Sequence, residues 1–248
     1  GEGEVCMSEI KTLKLGPDLK CSFLSGYAFK SKDYVNEGIP IIKLGNIQGN
    51  RVSVNSSTDC FAIELVNNKI SDYYLKNGDV LIAMTGQGSV GRVGKLILPS
   101  NKKALLNQRV GKFICDEKNL NIDYLLYVLT TDLYQDYLFS AGTGSGQPNL
   151  SPEVILDTEI PAPEYKEQKA IASVLSSLDD KIDLLHRQNK TLEAMAETLF
   201  RQWFVEEAQD DWEEGKIPDE FDYVMGSSPP GESYNETGDG IPMFQGNA

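Results

Sequence analysis

The chain has 248 residues, 40% of them hydrophobic, and a formal net charge of -14 at pH 7. This length allows one large domain, or one domain followed by an extended element. Apolar runs of about 18 residues and a signal-peptide pattern are absent, so the sequence predicts a cytoplasmic protein without a membrane span. The cysteines lie far apart without a C-x-x-C pair, which favours reduced, buried thiols over a zinc site or a disulfide framework.

The negative charge is unevenly distributed along the chain. Residues 1–150 carry 16 basic and 15 acidic groups, whereas residues 206–248 carry 1 basic and 12 acidic groups. Between Val80 and Cys115 there is no Asp or Glu, although six Lys and Arg residues occur there. A local basic surface matters more for binding phosphates than the global charge. The sequence therefore remains compatible with a nucleic-acid partner.

The first part of the chain, from Met7 to about Ser140, shows a mixed α and β pattern. Short strands are predicted in IPIIKL, RVSV, CFAIELV, DVLIAM, VGKLIL and VGKFIC, and turns in NEG, NGD and PSNKK. One helix is predicted over residues 121–141, with Asn121 or Asp123 near its start and Gly142 after its end. A polar, glycine-rich loop, AGTGSGQPNLSPE, then closes the first domain.

The stretch TGQGSVGR, residues 85–92, contains a formal G-x-G-x-x-G motif. A dinucleotide site requires a strand before these glycines and a helix after them. Here a strand-like segment follows as well, and no G-K-S/T occurs. The glycines are therefore predicted to reverse the chain in a polar hairpin.

After residue 164 the pattern changes to a heptad repeat, as expected for one long helix to about Val205. Its apolar seam comprises Ile171, Leu175, Leu178, Ile182, Leu185, Asn189, Leu192, Ala196, Leu199 and Trp203. A single helix of roughly 60 Å cannot bury its own seam, so a partner helix is predicted. Asn189 is a polar residue in the middle of the seam and is expected to fix the register of the paired helices. If the partner is an antiparallel second copy, the two Asn189 residues would lie near the two-fold axis.

The C-terminal residues contain a partial repeat of the first domain. DYVNEGIPIIKLGN, residues 33–46, returns as SYNETGDGIPMFQGN, residues 233–247. The chain thus resembles one unit and a fraction of a second.

No set of catalytic residues can be assembled from this sequence. The single histidine, His186, flanks the seam of the long helix, and the H-E-x-x-H, G-x-S-x-G and Cys-His patterns are absent. Three polar loops instead carry side chains that match base edges: TGQGSVGR, LLNQRVGK and GTGSGQPN. We expect DNA contacts from Thr85, Gln87, Ser89, Arg92, Lys95, Asn107, Gln108, Arg109 and Gln147.

Several of these segments together resemble one family. SGYAFKSKDYVNEGIPIIKLGNI, GDVLIAMTGQGSVGRVG, LNQRVGKF, GQPNLS and IPAPEYKEQKAIASVLSSLDDKID are similar to the DNA specificity subunit of type I restriction-modification enzymes. The resemblance implies an α+β fold, with a mixed target recognition domain over residues 7–160 and a long spacer or dimerisation helix over residues 164–206. Residues 207–248 would form a linker and the start of a second recognition domain.

The resemblance also implies a non-catalytic subunit that reads half of a bipartite site in double-stranded DNA. No cofactor or metal is expected in this chain. S-adenosylmethionine is expected in methyltransferase subunits that dock on the long helix, and ATP in a restriction subunit with motor and nuclease activity. The chain would be either part of a longer subunit or a half-subunit that forms a homodimer. The alternative is a self-associating coiled-coil adaptor whose globular domain binds protein.

Overall fold

The computed structural model describes residues 10–143, 148–208, 215–235, 237, 240 and 241. Within them the chain forms short strands, one long helix and five shorter helices, which confirms the predicted α+β class. The strands are β1 Thr12–Lys14, β2 Ser22–Ser25, β3 Tyr34–Val35, β4 Ile39–Ile42, β5 Ile47–Gln48, β6 Arg51–Val52, β7 Cys60–Phe61, β8 Tyr74–Leu75, β9 Val80–Ala83, β10 Val93–Leu96, β11 Ala104–Leu106, β12 Val110–Ile114 and β13 Glu159–Pro161. The helices are α1 Asn68–Ser71, α2 Ile122–Leu129, α3 Asp132–Gly142, α4 Pro152–Leu156, α5 Tyr165–Arg201 and α6 Ile217–Glu220.

Two mixed sheets form most of the domain. The larger has the strand order β2-β12-β9-β10-β6-β5, and the smaller has the order β3-β7-β4-β11-β8. The pairs β6–β10 and β4–β11 are parallel, and the remaining neighbours are antiparallel. The first strand of the domain, β1, pairs with the last, β13.

Strand β9 is buried on both of its faces. Val80 and Ile82 belong to one core cluster, shared with α2, α3 and α4, whereas Leu81 and Ala83 belong to a second cluster shared with the smaller sheet. Side chains alternate between the faces of a strand, so a strand covered on both sides is apolar at every position. This explains the continuous apolar run VLIAM at residues 80–84.

The predicted hairpin over residues 85–92 is confirmed. Strands β9 and β10 pair antiparallel on either side of it, with Val93 opposite Ile82. Gly86, Gly88 and Gly91 have φ angles of 103°, 72° and 84°. Side chains disfavour this left-handed region, so glycine is required for the reversal.

The prediction of one helix over residues 121–141 is wrong, because the chain forms α2 and α3 with a break at Thr130 and Thr131. The hydroxyl of Thr130 donates to the Leu126 carbonyl, and that of Thr131 donates to the Val128 carbonyl. Thr131 has extended backbone angles. Local side-chain bonds of this kind compete with helix continuation. Asn121 caps α2 as expected, by accepting the Tyr124 amide, but Gly142 is the last residue of α3 instead of following it.

The prediction of a continuous strand in CFAIELV is also wrong. Only Cys60 and Phe61 form a strand, and Ile63–Leu65 forms a 3-10 turn. Strand β11 at Ala104–Leu106 was not predicted, although it pairs with both β4 and β8. Three residues are too few for a periodicity to be read from the sequence.

The start of α5 is fixed to the domain by one buried carboxamide. Gln168 is 1% exposed. Its amide nitrogen donates to the carbonyls of Asn119 and Pro163 at 3.1 and 2.9 Å, and its oxygen accepts the Asn121 amide at 2.9 Å. Ala172, one turn later, is also buried. Gln168 thereby connects α5 to the N-terminus of α2.

Further along α5, polar residues continue the contact with the domain. The Asp179 carboxylate accepts hydrogen bonds from the Tyr127 hydroxyl at 2.9 Å and the Asn50 amide at 3.0 Å. Arg51 forms an ion pair with Asp183. Burial raises the pKa of the Tyr127 phenol, and the adjacent Asp179 carboxylate raises it further. The domain-facing side of α5 is therefore mainly polar.

The heptad seam lies on a different face of α5. At about 100° per residue, it is roughly a third of a turn away from the face formed by Gln168, Ala172 and Asp179. Seven residues of the seam are between 40% and 62% exposed: Ile171, Leu178, Ile182, Leu185, Leu192, Leu199 and Trp203. Leu175 is half-buried, and Asn189 and Ala196 are exposed.

The chain divides into two compact units, residues 1–186 and 187–248. The second contains the remainder of α5, a π-helical turn at Gln202–Glu206, and α6. Most of the predicted second repeat, residues 233–247, lies outside the described residues. No helix in the described ranges is both long and apolar enough to span a bilayer.

We predict that Gln168→Ala destabilises the domain by about 2–4 kcal/mol, because an amide and two carbonyls would lose their buried partner. Urea unfolding measures this free energy. The matched control is Gln188→Ala on an exposed position of the same helix, expected to change it by less than about 0.5 kcal/mol. Equal effects of the two substitutions would show that Gln168 does not anchor the helix.

We predict that Gly91→Ala destabilises the domain more than Gly88→Ala. Both positions have positive φ, which costs roughly 1–2 kcal/mol for alanine. At Gly91 the added Cβ would also lie 2.9 Å from the Cβ of Leu138 on α3, whereas at Gly88 no atom lies within 4 Å. We therefore expect about 3 kcal/mol or more for Gly91→Ala and about 1 kcal/mol for Gly88→Ala in urea unfolding. A larger loss for Gly88→Ala would contradict this packing.

Candidate nucleic-acid interface

Three polar loops from distant parts of the sequence meet at one edge of the domain. The Met84 amide donates to the Arg109 carbonyl at 2.9 Å, and the Met84 carbonyl accepts the Leu150 amide at 2.7 Å. Thr85 also forms an antiparallel bridge with Asn149. We call this surface, formed by residues 85–92, 107–109 and 148–150, the loop edge. It brings together the first two segments that the sequence predicted as contact loops and the end of the third, of which residues 144–147, including Gln147, lie outside the described residues.

The hairpin loop is held at both ends and exposed at its tip. The amides of Ser89 and Val90 both donate to the Gly86 carbonyl at 3.0 Å. At the far end the Gln135 amide nitrogen donates to the Gly91 carbonyl at 3.0 Å and to the Leu129 carbonyl at 2.6 Å. Gln87 is exposed at the tip, and Ser89 is half-buried beside it. A restrained loop thus presents a carboxamide to solvent.

The turn at residues 107–109 contains one buried residue and two exposed ones. Asn107 is 9% exposed, and its backbone carbonyl accepts the Val110 amide that closes the turn. Tyr27 accepts the Gln108 amide, which fixes the turn to the segment after β2. Gln108 and Arg109 are both exposed. Asn107 therefore shapes the turn, whereas Gln108 and Arg109 are accessible to a ligand.

Thr85 is half-buried at the start of the hairpin. Its hydroxyl oxygen is buried and makes no hydrogen bond with any residue that the structure describes. A buried hydroxyl without a partner costs about 1–3 kcal/mol. In this conformation Thr85 faces inward at the loop edge.

The stretch from Val80 to Cys115 contains no acidic residue, but two of its lysines form ion pairs with aspartates from other parts of the sequence. Lys95 forms an ion pair with Asp123 at 2.6 Å, and Lys112 forms one with the buried Asp79 at 2.8 Å. The ammonium group of Lys95 is thus already paired, which the sequence did not indicate because Asp123 lies on α2. Four exposed cations of the stretch have no acidic partner among the described residues: Arg92, Lys102, Lys103 and Arg109.

These cations are distributed over more than one surface. Arg109 lies in the exposed turn of the loop edge, at residues 107–109. Arg92 lines an open cleft with Asn50, Thr130 and Gln135 at the base of the hairpin. Lys103 lies over the Tyr74 ring at 4.8 Å, at the end of β11 that is opposite Asn107. Arg109 is therefore the best placed of them to act together with Gln108.

The sequence did not identify two residues beside the loop edge. Tyr27 forms a parallel bridge with Asn107, and the Lys69 ammonium lies 5.9 Å from the centre of the Tyr27 ring. Lys69 is exposed on α1 and adds positive charge near the turn. The tyrosine in SGYAFKS was visible in the sequence, but nothing local connects Lys69 to it.

The described residues contain no group of three or more His, Cys, Asp and Glu side chains that could hold a metal ion. His186 is exposed on α5. The exposed side chains at the loop edge offer hydrogen-bond donors, acceptors and cations.

Comparison with known proteins places these features in a family. The family model for the type I restriction modification DNA specificity domain matches residues 19–194. The MjaVIII specificity subunit of Methanocaldococcus jannaschii is 29% identical over 170 residues, which cover 68% of this chain and 40% of the relative. The putative MjaX specificity subunit of the same organism is 27% identical over 240 residues, which cover 89% and 55%.

Two solved structures show the same fold. One, described as the structural basis of complex assembly and conformational transition of the type I R-M system, has a TM-score of 0.54 at 17% identity. It covers 86% of this chain and 49% of that one. The HsdS subunit from Thermoanaerobacter tengcongensis has a TM-score of 0.50 at 18% identity, covering 76% and 42%.

The chain spans about half the length of these relatives. The family match nevertheless covers both the sheet domain and most of α5. The chain belongs to the type I restriction modification DNA specificity domain family.

Proposed function

We propose that this chain is a DNA recognition and scaffold subunit of a type I restriction-modification complex, and that its loop edge reads one half of a bipartite site in double-stranded DNA. The observation that carries this proposal is the meeting of three sequence-distant polar loops at one edge, where Gln87, Gln108 and Arg109 are exposed. Family membership supports the same assignment.

The exposed side chains at the loop edge suit base recognition. Arginine forms paired hydrogen bonds with guanine, and glutamine does so with adenine, in the major groove. Gln87, Gln108 and Arg109 are the proposed readers, and Ser89 adds a hydroxyl beside them. Arg92 and Lys69 are proposed to contact phosphates, which position the duplex without reading its sequence. Asn107 and Thr85 support the loops, and Gln147 completes the proposed set.

We propose that the catalytic activities belong to other subunits. Methyltransferase subunits would bind S-adenosylmethionine and methylate the DNA, and a restriction subunit with motor and nuclease activity would use ATP. This division is supported by the match to a specificity family and by a loop edge that offers hydrogen bonds and charge. A cytoplasmic location follows from this role.

The long helix is the proposed scaffold. Residues 7–160 would form the recognition domain, residues 164–206 the spacer and docking helix, and residues 207–248 a linker and the start of a second domain. The exposed seam on α5 supports docking, because apolar side chains repeated over five turns or more favour a partner helix. If the chain is a natural half-subunit, that partner is a second copy, and two identical domains would read a symmetric site.

We predict that Arg109→Ala and Gln108→Ala each weaken binding to the preferred site by about 5- to 150-fold and relax selection at a single base position. The preferred site is first selected from a random duplex pool, with the chain bound to its methyltransferase partner. Affinity and selection are then measured for each variant at fixed salt, because affinity for DNA falls steeply with salt.

The control is Lys118→Ala, an exposed cation at the opposite end of β12 from Arg109, expected to change affinity less than twofold. A selected sequence that is unchanged in Arg109→Ala and Gln108→Ala would remove both residues from the readout. Absence of duplex binding at low salt, with self-association retained, would favour the adaptor alternative instead.

We predict that Leu185→Glu disrupts assembly through the seam, because it places a charge in an apolar interface. Light scattering coupled to size-exclusion chromatography should show loss of the homodimer or of the complex with the methyltransferase subunit. Thr191→Glu, on another face of the same helix, should assemble normally. Unchanged assembly of Leu185→Glu would contradict docking through the seam. For an antiparallel homodimer, Asn189→Cys should also form a disulfide-linked dimer.

A further inference from the structure

Two cysteines that are distant in sequence lie opposite each other at the end of a strand pair. Strands β2 and β12 are antiparallel, with Ser22 opposite Ile114. The next positions outward are therefore Cys21 and Cys115. Their sulfur atoms are 3.5 Å apart, and both are free thiols.

The register places this pair at a position that suits a disulfide. Gly26 donates its amide to the carbonyl of Val110, directly opposite, so these two residues form a hydrogen-bonded pair. Hydrogen-bonded and non-hydrogen-bonded pairs alternate along an antiparallel ladder, which makes Cys21 and Cys115 a non-hydrogen-bonded pair. Opposite Cα atoms in such pairs are about 4.5 Å apart, within the roughly 4.4–6.8 Å that disulfides span. The Cys21 amide is accordingly bonded elsewhere, to the Leu15 carbonyl.

We propose that Cys21 and Cys115 form a reversible modification site, at which a peroxide oxidises the two thiols to an intramolecular disulfide without rearrangement of the fold. The inference is independent of DNA binding. Sulfur atoms at van der Waals contact need to approach by roughly 1.5 Å to reach the bonded separation of about 2.0 Å, which side-chain rotation supplies.

The hydrogen bond between the two thiols assists the first step, because it lowers the pKa of the thiol that accepts it. The thiolate of one cysteine attacks one peroxide oxygen, the O–O bond breaks, and a sulfenic acid and hydroxide form. The sulfur of the other cysteine then attacks the sulfenic sulfur and displaces the hydroxyl group. The released protons yield water, so that two thiols and one peroxide give one disulfide and two waters.

The disulfide would close a loop of chain from residue 21 to residue 115, joining the start of β2 to the end of β12. Closing a long loop restricts the unfolded state and stabilises the native one. Because the pair is already in register, little native strain opposes this gain. We expect the oxidised chain to unfold about 5 °C or more above the reduced chain.

The test is treatment of the folded full chain with hydrogen peroxide, followed by intact-mass measurement and peptide mapping without reductant. We expect loss of two hydrogen atoms, a cross-linked peptide pair containing Cys21 and Cys115, and reversal by dithiothreitol. Thermal unfolding before and after treatment measures the stability gain.

Cys21→Ser and Cys115→Ser should each abolish the cross-link and the rise in melting temperature. Cys60→Ser, which removes a half-buried thiol on β7, should retain both. Folding of each variant is checked from its reduced melting transition, and Cys21→Ala replaces Cys21→Ser if the latter fails to fold. Peroxide adducts without the cross-link, or a cross-link that survives Cys21 substitution, would overturn the proposal.

Discussion

The buried carboxamide of Gln168 is the contact on which the arrangement of this chain most depends. It satisfies three backbone groups at the point where the sheet domain ends and the long helix begins. A buried polar group that is fully bonded specifies one geometry, because any displacement leaves several partners unsatisfied. With Asp179 and Asp183 continuing the contact, one face of α5 is fixed to the domain, and the apolar seam is left on another face.

At the loop edge, backbone hydrogen bonds maintain the structure, and the exposed side chains are available for binding. Main-chain hydrogen bonds through Met84 hold the hairpin, the turn and the 148–150 segment together, so their geometry does not depend on the exposed side chains. Under the proposed function, Gln87, Gln108 and Arg109 can vary with the bases that are read, while Asn107 and Gly91 maintain the loops. One fold would then recognise different DNA sequences, because specificity would reside in side chains carried by a constant frame.

The sequence predicted features that depend on local pattern. The hairpin was predicted from its glycines, and the long helix and its seam were predicted from heptad spacing. These features are determined by residues that are close in sequence. The break at Thr130 was missed, since its cause is a pair of side-chain hydrogen bonds that compete with a continuous apolar pattern. The pairing of Lys95 with Asp123, the bridge from Tyr27 to Asn107 and the approach of Cys21 to Cys115 were also missed. Each depends on how segments that are far apart in the chain pair or pack against each other.

Amide hydrogen exchange would show whether duplex DNA is read at the loop edge. The chain in complex with its methyltransferase partner would be compared with and without its selected duplex. We expect new protection concentrated in residues 84–92 and 107–110, with little change in the smaller sheet around β3 and β7. Protection confined to that sheet, or to the exposed seam of α5 alone, would contradict it.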